Sequence, residues 1–135
     1  MQAPKKPVPV PTNITREFWD RANEGVLVLP YCRDCGTYTY YPRSVCVRCM
    51  SRNLEWRPSA GQGTVYSYTI VRSPQPAFRD MAPYVVANVE LTEGVRMMAN
   101  VLTDDPDSVQ IGMPVKVVFV QVTPDLKMPQ VVPAA

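Results

Sequence analysis

Four cysteines, Cys32, Cys35, Cys46 and Cys49, form two Cys-x-x-Cys pairs with ten residues, 36–45, between them. This is metal-ligand spacing rather than a disulfide framework. Each pair folds into a tight knuckle whose backbone amides point at the sulfurs, and two knuckles face to face present four thiolates in a tetrahedron. The ten-residue separation is shorter than the about 15 to 20 of the commonest pattern and still long enough for a hairpin. Because all four positions are thiolate, water has no open place, and zinc held there supplies folding energy rather than Lewis acidity. Iron in the same cage is the chemical alternative. The same cysteine usage points to a reducing compartment, the cytoplasm.

The chain contains no histidine, which removes the commonest general base and the usual partner of a Ser or Cys nucleophile. With all four cysteines assigned to metal, acid–base work would fall to Asp, Glu, Tyr or Lys. No catalytic residue is assigned, and the chain is not expected to act as an enzyme alone. The 14 basic and 12 acidic residues give a net charge of +2, so no global field favours nucleic acid. No apolar run reaches the about 20 residues of a membrane span, and neither a membrane segment nor an export signal is expected.

The elements that must position the cysteines are legible as patterns. Prolines 4, 7, 9 and 11 make residues 1–12 an extended, flexible arm. From Asn13 to Glu24 the residues Ile14, Phe18 and Ala22 recur every fourth position, with Trp19 beside them, which predicts a helix capped by Asn13 or Thr15 and ended at Gly25, spanning 13–25. An aromatic pair on so short a helix either packs on its own chain or docks a partner; Phe18 and Trp19 are the candidate partner-binding residues. Val26 to Tyr31 is a strand into the first knuckle, and 26–60 is assigned to the ribbon. From residue 61 the period becomes two, with strands expected at 64–71, 85–91, 95–101 and 115–122 and a short one at 128–132. Five short strands with glycines at 61, 63, 94 and 112 predict a five-stranded barrel of the oligonucleotide/oligosaccharide-binding (OB) type over 61–135. A plain five-stranded sheet or sandwich is the competing architecture. The fold class is thus mainly β: an N-terminal helix, a rubredoxin-like zinc ribbon, then the barrel.

In this order of parts, Phe18-Trp19 through Gly25, Leu29-Pro30-Tyr31-Cys32, Gly63 to Thr69, Pro83 to Ala87 and Ile111 to Val115 resemble the acyl-CoA-associated family that joins a rubredoxin-like zinc ribbon to an OB fold, long catalogued as domain of unknown function 35. The resemblance covers residues 13–133. It implies an accessory role beside thiolase-like enzymes, including sterol-carrier-type thiolases that act as aldolases, and beside hydroxymethylglutaryl-CoA synthases and enoyl-CoA hydratases. Such a subunit bridges enzymes or helps present an acyl-CoA.

The ribbon offers a place for that ligand. Residues 31–57 carry Arg33, Arg43, Arg48, Arg52 and Arg57 against Asp34 and Glu55, and guanidinium forks suit phosphates as well as acidic protein surfaces. Arg43, Arg48 and Arg52, around the second pair of cysteines, are the candidate contacts to CoA phosphates. A nucleic-acid module is the alternative reading, with Tyr66 and Tyr68 as stacking residues. Against it, the strands and loops of 64–122 carry Arg72, Arg79, Arg96 and Lys116 but six acids, Asp80, Glu90, Glu93, Asp104, Asp105 and Asp107, a poor phosphate track. The proline-rich loop 73–83 is long for a barrel connection. It either reaches into a partner's pocket or is stapled to its own barrel by Phe78.

Overall fold

The computed structural model describes residues 8–134. Residues 1–7 of the expected arm lie outside that range. Helix α1 is Arg16–Asn23, shorter than its apolar period allows. Thr12 and Thr15 account for the late start: the Thr15 N–H donates to Thr12 Oγ1 at 3.2 Å and the Thr12 N–H to Thr15 Oγ1 at 2.9 Å. Side-chain oxygens thus hold residues 12–15 in a turn, competing with helix as threonine does. Ile14, in that turn, is 48% exposed, and the buried face of α1 is Phe18, Trp19 and Ala22.

The ribbon is a two-stranded antiparallel sheet of β1, Val28–Cys32, and β2, Leu54–Pro58, with Pro30 opposite Trp56 and Cys32 opposite Leu54. The remaining strands are β3 (Gln62–Val71), β4 (Tyr84–Leu91), β5 (Arg96–Val101), β6 (Pro114–Thr123) and β7 (Leu126–Pro133). They close a barrel in the order β3-β4-β5-β7-β6, the OB-type architecture rather than a sandwich. Closure happens on β3, where Gly63 faces both Leu91 of β4 and Val115 of β6. A Cβ at Gly63 would sit 2.5 Å from the Glu90 carbonyl oxygen, so the neighbouring backbone approaches only because the side chain is absent. A bulge between Val65 and Ser67 turns β3 from one neighbour toward the other.

The last seam, β5 to β7, is parallel and meets at one pair, Val101 with Val131. A side chain extends it: Gln130 Oε1 accepts the Asn100 N–H at 2.6 Å. Alternating residues of the barrel strands, such as Val85, Ala87, Val89 and Leu91, fill the interior. Phe18, Trp19, Leu27 and Leu29 belong to the same continuous core, so α1 and β1 are built onto the barrel. Two polar clamps fasten this junction. Glu93 accepts from Ser59 Oγ at 2.7 Å and from the Ala60 N–H at 2.9 Å. Asn23 donates to the Asp125 carbonyl at 3.0 Å and accepts from the Lys127 N–H at 2.8 Å. Among the described residues no helix is long and apolar enough to cross a membrane.

Candidate metal centre and the surface around it

The two Cys-x-x-Cys segments fold alike. In the first, the Gly36 N–H donates to the Cys32 carbonyl at 2.8 Å and the Cys32 N–H to the Thr37 carbonyl at 2.9 Å; in the second, Met50 and Cys46 repeat the former bond at 3.0 Å, and Cys46 and Ser51 the latter at 2.8 Å. The residue after each pair, Gly36 with φ +74° and Met50 with φ +66°, takes the left-handed conformation that turns the chain back. Glycine adopts it freely; methionine does so at a cost of about 1–2 kcal/mol.

The four sulfurs lie within 4.8 Å of one another. The Cys32–Cys49 and Cys35–Cys46 sulfurs are each 3.5 Å apart. That is far beyond the about 2.0 Å of a disulfide and close to the about 3.8 Å edge of a tetrahedron built on metal–sulfur bonds of about 2.3 Å. Cys32 and Cys46 are fully buried, Cys35 half-buried and Cys49 exposed. Protons alone suit this cluster poorly. The Thr37 hydroxyl, helped by the neighbouring sulfurs, holds the Cys35 thiol down to about 6. The Ser51 N–H draws Cys49 down, but burial and the three other sulfurs outweigh it and push that thiol up to about 12. Ionising the set completely calls for a cation, and the all-sulfur donor set suits a soft or borderline one.

Asp34, inside the first knuckle, ties it to the chain leaving the second: its carboxylate accepts from Ser51 Oγ and, at 3.2 Å, from Asn53 Nδ2. Those donors, Ser51 first, hold the carboxyl below its usual range. Beside it, Arg33 reaches Glu55 at 2.8 Å and Arg57 reaches the other oxygen at 2.6 Å; the Arg57 guanidinium also lies 3.5 Å above the centre of the Tyr31 ring. Arg33, then Arg57, hold the Glu55 carboxyl low.

The three arginines singled out in the sequence are all exposed. Among the described residues none of them forms an ion pair, whereas Arg33 and Arg57 share Glu55. Arg43 lines a recess of about 210 Å3 with Ile14, Pro30, Leu54 and Trp56, while Arg48 and Arg52 belong to the second knuckle. Of the two alternatives for Phe18 and Trp19, the candidate partner-binding pair packs on its own chain: the two side chains are 1% and 5% exposed, because β1 and the barrel give the short helix a core to enter. Trp19 Nε1 donates to the Tyr41 hydroxyl at 2.7 Å, and the Phe18 ring meets those of Trp19 and Tyr41 edge-on at 5.0 and 5.3 Å. What remains accessible is a groove of about 420 Å3 lined by Trp19, Tyr41, Phe78, Tyr84, Met98 and Met128. Phe78 comes from a 3-10 turn, Pro76–Met81, folded back on Tyr84 with ring centres 6.3 Å apart. Tyr66 and Tyr68 are 48% and 38% exposed, and Tyr66 is covered on one face by Arg96 at 3.7 Å. Asp34, Glu55 and Met50 escaped the sequence reading: the carboxylates were visible only as charges to be counted, and nothing marks a methionine for positive φ.

Known proteins share this arrangement. Residues 19–55 match the ChsH2 rubredoxin-like zinc ribbon domain and residues 56–120 the ChsH2 C-terminal OB-fold domain. A probable enoyl-CoA hydratase alpha subunit of Thermomonospora curvata is 40% identical over 98% of the chain, which spans 42% of that subunit's length. A DUF35 domain-containing scaffold protein of Methanothermobacter thermautotrophicus is 40% identical over 65% of the chain and 67% of its own length. The solved structure of an Ltp2-ChsH2(DUF35) aldolase contains a chain that superposes with a TM-score of 0.83 at 36% identity, covering 95% of this chain and 100% of that one.

Proposed function

The chain belongs to the DUF35 family of ChsH2-type proteins, which join a rubredoxin-like zinc ribbon to an OB fold, and from that premise we propose that it is a non-catalytic accessory subunit of an acyl-CoA-processing enzyme. It binds a thiolase-like aldolase or acyltransferase and helps assemble that enzyme or present its acyl-CoA substrate. Sterol side-chain metabolism is one setting in which such a subunit works. The observation that carries this reading is the correspondence, over nearly the whole chain, with a protein solved as an Ltp2-ChsH2(DUF35) aldolase. The chain's own chemistry agrees: it has no histidine, and its four thiols converge on one another.

The metal is zinc, held by Cys32, Cys35, Cys46 and Cys49. Zinc there fixes the knuckles and leaves no position for water, and the reducing cytoplasm keeps all four sulfurs available to it. Arg43, Arg48 and Arg52 contact the phosphates of CoA. Glu55 engages both Arg33 and Arg57, whereas these three have no ion-pair partner among the described residues, which leaves their guanidinium forks open to phosphate.

The purified chain is expected to turn over no acyl-CoA ester alone, to form a stable complex with an Ltp2-type subunit, and to be required for aldolase activity of that complex. Arg43→Glu, Arg48→Glu and Arg52→Glu should weaken CoA binding to the assembled complex, the loss shrinking as salt screens it. Robust turnover by the isolated chain, or no complex at micromolar concentrations, refutes the reading.

A further inference from the structure

The two knuckles share one backbone design and differ in what their side chains do. In the first, both positions between the cysteines are used internally. Arg33 pairs with Glu55 at 2.8 Å, Asp34 holds Ser51 and Asn53, and the position after the pair is a glycine with no side chain to present. The matching positions of the second are Val47, Arg48 and Met50. Val47 is 57% and Met50 72% exposed, and among the described residues Arg48 has no carboxylate partner. Met50 also occupies the one non-glycine position of the described chain with positive φ, +66°. Its counterpart Gly36 marks the residue that backbone prefers. A side chain that costs the fold about 1–2 kcal/mol and makes no core contact in return has a role outside the fold.

We infer that the second knuckle is a docking tip, with the Val47 and Met50 side chains inserting into an apolar recess on the thiolase-like subunit. This deepens the proposed function and rests on it. The knuckle suits insertion, since paired backbone bonds at 2.8 and 3.0 Å and two metal ligands fix its shape and little ordering entropy remains to be lost. Methionine adapts to an imperfectly matched recess. The guanidiniums of Arg48 and Arg52, without an ion pair among the described residues, set the sign of what borders the recess. It is negative, as the phosphates of a CoA held by that subunit would be. A lipid surface fits less well, because such anchors favour aromatic residues and the tip has none.

Met50→Gly separates docking from structure, because glycine relieves the backbone while deleting the side chain. Binding of Met50→Gly and of Val47→Ser to a purified Ltp2-type subunit is measured by titration calorimetry, with zinc content and thermal midpoint recorded on the same samples. Met50→Gly is expected to keep its zinc and melt no lower than the parent, yet to bind about tenfold or more weakly; Val47→Ser loses affinity in the same direction. Unchanged affinity in both variants, with the parent binding well, overturns the inference and leaves the accessory-subunit reading standing. No binding by the parent overturns that reading. Parent-chain binding to phosphatidylcholine/phosphatidylserine vesicles, or concentration-dependent self-association, abolished by Met50→Gly while Ltp2 binding survives, assigns the tip to a membrane or a second copy and also overturns the inference.

Discussion

The ribbon's smallest working unit is the carboxylate that joins one knuckle to the other. Asp34 receives Ser51 and Asn53 from the far side of the metal site, and the Arg33 N–H beside it donates to the Asn53 carbonyl at 3.0 Å. These bonds hold the two halves of the sulfur cage at their separation before any ion arrives. Partners outside the ligand set, when removed, commonly cost about 10- to 100-fold in metal affinity. Asp34→Ala is therefore expected to lower zinc affinity by about tenfold or more, read by competition with a chromogenic chelator, while one equivalent still binds at saturation. An unchanged affinity would mean that the sulfurs alone set the cage. The convergence of the four cysteines was readable from spacing, because a tetrahedral thiolate site demands that spacing. Asp34 was not, because its role depends on where Ser51 and Asn53 return in space.

At the scale of elements, helix α1 is a plug rather than a flag. Phe18 and Trp19 are 1% and 5% exposed and join Leu27 and Leu29 in the barrel's core. Removing such a ring costs about 3–5 kcal/mol in transfer and cavity terms, a large part of the about 5–15 kcal/mol that holds a domain together. Phe18→Ala should lower the urea midpoint accordingly, and any loss of partner binding should track the loss of folded protein. Loss of binding with full stability would return the residue to the interface. The period of α1 was legible, but its burial was not, since a periodic face says only that something covers it. Strand β2 was missed for a related reason. In Leu54-Glu55-Trp56-Arg57 the charges, which pair with one another along the strand and with Arg33 across the ribbon, read as a solvated rim. The barrel strands showed clearly because their inward residues, Val85, Ala87, Val89 and Leu91 among them, alternate without interruption, whereas β7 begins at Leu126, with Asn23 holding the Lys127 N–H from outside the sheet.

Across the whole molecule, two kinds of stabilisation divide along the chain. The barrel rests on its closed ladder and an apolar interior, which pH does not touch. The ribbon rests on thiolates and carboxylates. Asp34 and Glu55 are both held below the ordinary carboxylate range, so each contributes above that range and its contribution is lost as pH falls through the depressed value. Metal binding requires deprotonated sulfur, so falling pH competes with a metal at the four cysteines in the same direction. The two halves still share a core through Leu27, Leu29 and α1 and a polar clamp at Glu93, so losing the ribbon must weaken the barrel without erasing it. Stepwise acidification from neutral pH is therefore expected to release one zinc per chain. Amide exchange should accelerate over residues 30–58 while β4, β5 and β6 stay protected, and a chelator at pH 7 should reproduce the same pattern. Zinc release followed by zinc colorimetry, together with exchange read by mass spectrometry, checks it. If barrel and ribbon amides lose protection in one step with the metal, the four-cysteine site holds the entire chain, and the division of labour drawn from the shared core is wrong.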